Sequence, residues 1–106
     1  MTNHEAYVFG WVYGRLEAAM GGYKRDISLA AMRPYSASAQ IINEATRRGA
    51  LRGDLEREIA EAMTHIDAIE APTNGYQEAV QPLPLQGSWQ LGYTRGAARK
   101  DLEKQG

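Results

Sequence analysis

The sequence predicts an all-α fold, a compact bundle of four main helices with one short helical turn. Apolar residues return every three or four positions in several segments, which is the spacing of the buried side of a helix. No segment alternates apolar and polar residues over the length of a strand. The 106 residues suffice for one domain, which we place at 1–106 with a bundle core at 5–98 and a charged C-terminal tail at 99–106.

The first helix is predicted from about Glu5 to Met20, with Asn3 as its N-cap and Gly21-Gly22 as its stop. Because its apolar residues cover several sides, we expect it to be central in the bundle. A short helical turn over residues 26–32 follows, and Pro34 ends that turn.

The second main helix is predicted to begin after Ser36 or Ser38 and to end at Gly49. The third begins at Gly53-Asp54, with Asp54 as its N-cap. Four of its apolar residues follow one another at spacings of four, four and three, which indicates a single buried face. These residues are Leu55, Ile59, Met63 and Ile66.

The last helix follows a long irregular, proline-rich connection from Ala71 to Gln86. It is predicted to run from about Gln86 or Ser88 to Lys104, and the end of this segment is a mixture of charges that we expect to be solvated. Its large apolar residues are expected to be buried. These are Trp89, Leu91, Tyr93 and Leu102.

Two segments at opposite ends of the chain each place two glycines four residues apart, on one face of a helix. They are Gly10 and Gly14 in the first helix and Gly92 and Gly96 in the last. Glycine inside a helix costs up to about 1 kcal/mol relative to alanine, so these residues need a compensating reason. We favour close packing of the first helix against the last, and the alternative is a docking surface for another chain.

Aromatic residues accompany both glycine pairs. Trp11 and Tyr13 lie in the first helix, and Trp89 and Tyr93 lie in the last. Aromatic residues at helical spacing beside leucine and valine usually belong to the core, and we assign them to helix packing. The alternative is a platform on which nucleic-acid bases stack.

The arginines are clustered, although the formal net charge of the chain is −1 at pH 7. Arg47, Arg48 and Arg52 flank the turn between the second and third main helices, and Arg95 and Arg99 lie on the last helix. The acids concentrate on the third main helix and its end, so a nearly neutral molecule can carry a basic face and an acidic face. Phosphate contact is one interpretation of the arginines, and a solvated surface is the other.

Catalytic, metal and cofactor sites have little support in the sequence. His4 lies near the terminus, and His65 has no matching histidine or cysteine at ligand spacing. There is no phosphate-binding loop, nucleophile elbow or HExxH motif. We therefore expect a protein that is not an enzyme, needs no metal or cofactor, and acts by binding a partner.

The sequence also bears on location. The chain has no cysteine, which excludes disulfides and fits a reducing cytoplasm. Its N-terminus lacks the basic and apolar regions of a signal peptide, and its longest early uncharged run is too short to cross a bilayer. We expect a cytoplasmic protein with no membrane partner.

Taken in order, the landmarks of this chain resemble the C-terminal helical region of the large subunit of type I-C CRISPR surveillance complexes, or Cascade. In that family the region is also made separately, as the small subunit. Ala6-Tyr7-Val8-Phe9-Gly10 and Gly14-Arg15-Leu16-Glu17-Ala18 resemble the opening of the family's first helix. Tyr35-Ser36-Ala37-Ser38-Ala39 resembles its Ser-Ala-Ser-Ala segment, and the residues from Gln86 to Tyr93 resemble its Gly-Tyr-Tyr-His-Gln ending.

The likeness spans about Glu5 to Gly96, and it breaks at two places. Gln40 stands where the family has a proline, and Thr94-Arg95-Gly96 replaces the aromatic-His-Gln ending. Each motif alone is common, so their order and spacing carry the resemblance.

The resemblance implies a non-catalytic bundle that packs in an effector complex and holds DNA by its backbone, while guide pairing reads the sequence. It implies that the clustered arginines contact phosphates and that the aromatic and glycine residues build the bundle. These arginines are Arg47, Arg48, Arg52, Arg95 and Arg99.

Two alternatives to a working subunit remain at this point. A mobile element could encode an anti-CRISPR inhibitor that mimics the small subunit and blocks the complex. The chain could also be an unrelated helical adaptor that associates with itself through its glycines.

Overall fold

The computed structural model describes residues 1–23, 26–67 and 78–102. Within these ranges there are five helices and no strand, which confirms the predicted all-α fold. The helices are α1 Asn3–Ala19, α2 Ile27–Met32, α3 Pro34–Arg47, α4 Gly53–Met63 and α5 Leu83–Ala97. No helix in these ranges combines the length and the apolar character that a membrane crossing requires.

Helix α1 lies at the centre of the bundle, as its apolar residues on several sides predict. Every residue from 5 to 14 is buried, and α3, α4 and α5 all pack against it. Its N-cap is Thr2, so the prediction of Asn3 was wrong by one residue. The Glu5 N–H donates to the Thr2 hydroxyl at 3.0 Å and the Thr2 N–H donates to the Glu5 carboxylate at 2.9 Å, a reciprocal pair that fixes the start of the helix.

Helix α5 lies against α1 at backbone contact. A Cβ atom added to Gly10 would overlap the carbonyl oxygen of Trp89, and one added to Gly14 would overlap that of Tyr93. Glycine carries a hydrogen where every other residue carries Cβ, and only this hydrogen can point at a neighbouring carbonyl oxygen over so short a distance. The two glycines of α1 are therefore required by the position of α5.

The glycines of α5 contact the backbone of α1 in the same way. A Cβ atom on Gly92 would overlap the carbonyl oxygen of Tyr7, and one on Gly96 would overlap that of Trp11. Residue numbers rise together along both helices, so α1 and α5 run parallel. We call the four residues Gly10, Gly14, Gly92 and Gly96 the glycine clasp, and it confirms the predicted packing of the first helix against the last.

Aromatic rings fill the space beside the glycine clasp. The rings of Trp89 and Tyr93 stack with centroids 5.4 Å apart, and the Tyr13 ring lies 5.5 Å from that of Trp89. The Tyr93 hydroxyl donates to Glu17, and burial together with this carboxylate raises the pKa of Tyr93 to about 12. Leu91 is 61% exposed, so the prediction that it is buried was wrong.

Helix α3 begins at Pro34, two to four residues before the predicted caps Ser36 and Ser38. Its first N–H groups donate to a residue that is far away in the sequence. The buried carboxylate of Glu78 accepts from the N–H groups of Tyr35 and Ser36, both at 2.9 Å, and from the Ser36 hydroxyl at 2.7 Å. The cap therefore comes from more than 40 residues away, which local sequence patterns do not reveal.

Helix α4 follows a short turn, and its N-cap is Arg52 instead of the predicted Asp54. Asp54 lies in the first turn, where it pairs with Arg57. The predicted buried face is present, because Ile59 is buried and the other apolar residues of the stripe pack on the core. Those residues are Leu55, Met63 and Ile66.

Helix α5 begins and ends earlier than predicted. It starts at Leu83 after Pro82, with Pro84 in the first turn. The N–H groups of the first turn have no partner within the helix, so the N–H that proline lacks costs no helical hydrogen bond there. It ends at Ala97, not Lys104, and Arg99 follows with a φ of +60°. Residues 71–77 of the predicted connection, residues 68–70 before it and residues 103–106 of the predicted tail lie outside the described residues.

Candidate nucleic-acid interface

The C-terminal ends of α1, α3 and α5 lie together at one end of the bundle. Arg48, just beyond α3, approaches the carbonyl oxygen of Gly22, just beyond α1, at 3.5 Å. Arg99, just beyond α5, approaches the carbonyl oxygen of Ala18 in the last turn of α1, also at 3.5 Å. Helix α4 begins at the same end, because Arg52 is its N-cap.

The five arginines singled out in the sequence are thus grouped by the fold. We call them the arginine end. They are Arg47, Arg48, Arg52, Arg95 and Arg99. The carbonyl ends of three helices carry partial negative charge, and guanidinium groups near them offset that charge. This stabilising role accounts for part of the clustering without any ligand.

The Glu44 carboxylate forms ion pairs with two arginines of the arginine end. The Arg48 Nε donates to it at 2.7 Å, and Arg47 pairs with its other carboxylate oxygen. The hydrogen bond from Arg48 and the nearby charge of Arg47 lower the pKa of Glu44. The side chain of Arg47 is still 76% exposed, so most of its five N–H donors face solvent.

The remaining arginines differ in their exposure. Arg95 is half-buried and donates to the carbonyl oxygen of Asp101 at 3.3 Å, whereas Arg52 and Arg99 are exposed. An exposed guanidinium can form two parallel hydrogen bonds to a phosphate. Arg47, Arg52 and Arg99 are therefore better placed for phosphate contact than Arg95 is.

The glycines and aromatic residues predicted for helix packing lie inside the bundle. Trp11 and Trp89 are 3% and 1% exposed, which leaves no ring face on which a base could stack. Gly92 and Gly96 are buried against α1. The alternative interpretations, Trp11 and Trp89 as a stacking platform and the glycine pairs as an external docking surface, are therefore wrong.

One pair of functional groups was not predicted from the sequence. The His4 Nε2 and the His65 Nδ1 lie 3.1 Å apart, although the sequence offers His65 no matching histidine at ligand spacing. The pair joins the start of α1 to the end of α4 beside a cavity of about 330 Å³. No group of three metal-ligating side chains occurs among the described residues, and 61 residues separate the two histidines, so no spacing signal exists.

Glu78 was also missed, although the sequence carries a signal for it. It is the one charged residue between Ala71 and Gln86, in a segment otherwise rich in proline and uncharged side chains. An isolated carboxylate in such a segment usually has a specific partner when it is buried. Here that partner is the start of α3.

Comparisons with known proteins do not extend this description. No protein-family model, curated protein or solved structure matches the chain.

Proposed function

We propose that this protein is a non-catalytic helical subunit of a type I-C-like CRISPR effector complex and binds the nucleic-acid backbone through the arginine end. Its partners are the protein subunits of that complex and a DNA strand, and its location is the cytoplasm. The order of motifs that resemble the small subunit supports the assignment. The approach of Arg48 and Arg99 to the same end of α1 supports the choice of surface.

The chemistry of this surface suits backbone contact. Guanidinium groups bind phosphate oxygens without reading bases, and in an RNA-guided complex base pairing with the guide supplies the sequence specificity. Exposed Arg47 and Arg52 lie on either side of the turn between α3 and α4 and would contact phosphates there. In this arrangement the subunit contributes to antiviral defence by holding DNA against the complex.

Reconstitution tests the assignment. A type I-C complex that lacks its small subunit is mixed with the purified protein, and binding of target DNA is measured. We expect the protein to restore binding. Stable association with no gain in DNA binding, or no association at all, would contradict a working subunit.

Salt dependence tests the arginine end. Arg47→Ala and Arg52→Ala in one chain should flatten the slope of log affinity against log salt by about one unit for each phosphate that the variant no longer binds. Ala60→Glu, on the exposed side of α4, is a control that also makes the net charge more negative. Equal slopes for the double variant and the wild type would exclude these two arginines as phosphate ligands.

Two observations favour a second candidate, an anti-CRISPR protein that mimics the small subunit. Glu44 already binds two arginines, and α4 presents a cluster of acids that a DNA strand would repel. These acids are Asp54, Glu56, Glu58 and Glu61. An inhibitor would reduce DNA binding when added to an intact complex, a working subunit would not, and an unrelated adaptor would bind neither preparation.

A further inference from the structure

Gly87 is a glycine of α5 that the packing of this chain does not explain. A Cβ atom added to it meets no atom within 4 Å, whereas one added to Gly92 or Gly96 overlaps the backbone of α1. Glycine in a helix interior costs about 1 kcal/mol relative to alanine. Packing within the described part of the chain therefore does not offset the free-energy cost of glycine at this position.

The side of α5 that faces away from α1 is exposed and has no charge between residues 83 and 94. Leu83 is 78% exposed and Leu91 is 61% exposed. The exposed residues of this side, which we call the α5 face, are Leu83, Pro84, Gly87, Gln90, Leu91 and Thr94. The exposed side of α4, by contrast, carries charges such as Glu56 and Arg57, as is usual for a solvated helix.

The two leucines of the α5 face lie symmetrically about Gly87. Leu83 lies four residues before it and Leu91 four residues after it. If a second α5 packs antiparallel across this face, Leu83 of each copy lies opposite Leu91 of the other and the two Gly87 residues meet at the two-fold axis. Such self-complementarity is what a two-fold interface requires, and glycine at the axis permits the short interaxial distance of about 8 Å.

The charge at the C-terminal end of α5 selects the antiparallel direction. Arg95 follows Gly87 by eight residues, which places it about 12 Å from the axis at 1.5 Å per residue. In an antiparallel pair, the Arg95 residues of the two copies are then about 24 Å apart, beyond a screening length of about 8 Å. A parallel pair would bring these like charges side by side.

We propose that the α5 face is a dimer interface, occupied by the antiparallel α5 of a second copy of this chain. This inference is independent of the proposed role in a CRISPR complex, because it rests on the α5 face and not on the arginine end.

Sedimentation equilibrium over a range of concentrations tests the dimer. We expect the average mass to rise from 11.7 kDa toward twice that value as the concentration increases. Gly87→Arg should keep the mass at that of a monomer, since it places two like charges at the axis. At a concentration where both chains are monomeric, its thermal stability should be at least that of the wild type, because position 87 borders open space and arginine favours a helix more than glycine does. Ala60→Arg on the exposed side of α4 is the matched control and should dimerise as the wild type does.

Cross-linking tests the position of the axis. The chain has no cysteine, so Gly87→Cys introduces a single thiol that meets its own copy in the dimer. We expect this variant to form a disulfide-linked dimer at least tenfold faster than Ala60→Cys under the same oxidising conditions.

Paired charges test the direction. A chain with Leu83→Glu and Leu91→Lys should still associate, because position 83 faces position 91 of the other copy, and a chain with Leu83→Lys and Leu91→Lys should not. A wild-type chain that stays monomeric at every concentration, with equal cross-linking of both cysteine variants, would overturn the proposal. The α5 face would then serve a different protein.

Discussion

At the scale of single residues, Glu5 joins the start of α1 to the segment that follows α4. Its carboxylate accepts from the N–H groups of Thr2 at 2.9 Å and Asp67 at 2.8 Å. Burial acts to raise the pKa of Glu5, but the hydrogen bonds from Asp67 and Thr2 together outweigh burial and lower it. The ionised carboxylate therefore stabilises the folded state.

Replacing Glu5 with glutamine removes this charge at nearly constant shape. Because the folded-state pKa is below the unfolded-state value, the contribution is complete above the ordinary value of 4.5 and is lost as pH falls through the folded-state value. We expect Glu5→Gln to lower the free energy of unfolding by about 1 to 2 kcal/mol at pH 7. Urea unfolding from neutral pH down to acidic pH measures the difference from the wild type.

The difference between Glu5→Gln and the wild type should shrink as the solution is acidified below the ordinary pKa of a glutamate. Glu61→Gln, at an exposed position of α4, is the control and should change stability by less than about 0.5 kcal/mol. A cost for Glu5→Gln that does not vary with pH would mean that packing, and not charge, is responsible.

Glu78 gives a second prediction at this scale. Glu78→Ala leaves the N–H groups of Tyr35 and Ser36 without their acceptor, which we expect to lower the free energy of unfolding by about 2 to 3 kcal/mol. Hydrogen exchange of these two amides, followed by NMR, should become faster in the variant. Unchanged protection of both amides would contradict the cap.

At the scale of elements, α5 depends strongly on its packing against α1. It contains three glycines and Pro84 within fifteen residues, so its intrinsic helix propensity is low. Packing on α1 compensates, as is general for helices in proteins. Helix α4, with its regular apolar stripe and acidic first turn, is the opposite case.

This contrast explains which elements could be predicted. The apolar residues on several sides of α1 predicted its central position, and the regular spacing of apolar residues predicted the buried stripe of α4, because both are local properties of the sequence. The starts of α3 and α5 were misplaced, since α3 is capped by the distant Glu78 and α5 begins with prolines that were assigned to the connection. Exposure of Leu91 was missed because its side of α5 faces away from α1.

At the scale of the whole molecule, the arrangement of the helices decides which surfaces remain outside. The parallel packing of α1 and α5 places Arg99 beside the end of α1, and Arg48, just beyond α3, lies at the same end. The sequence identified each arginine, but their grouping depends on the directions of three helices, which no local pattern specifies. The pairing of His4 with His65 could not be foreseen for the same reason.

The parallel packing of α1 and α5 at backbone contact can be tested with two alanine substitutions in α5. Gly92→Ala places a Cβ atom on the backbone of Tyr7 and should lower the free energy of unfolding by about 3 kcal/mol or more, which corresponds to a melting temperature lower by at least about 12 °C. Gly87→Ala, measured at a low concentration where the chain is monomeric, should raise stability by up to about 1 kcal/mol.

Thermal unfolding of these two variants beside the wild type is the most direct measurement. We predict shifts of opposite sign, a large decrease in melting temperature for Gly92→Ala and a small increase for Gly87→Ala. Equal shifts, or a Gly92→Ala chain as stable as the wild type, would show that α5 does not touch α1 through its glycines.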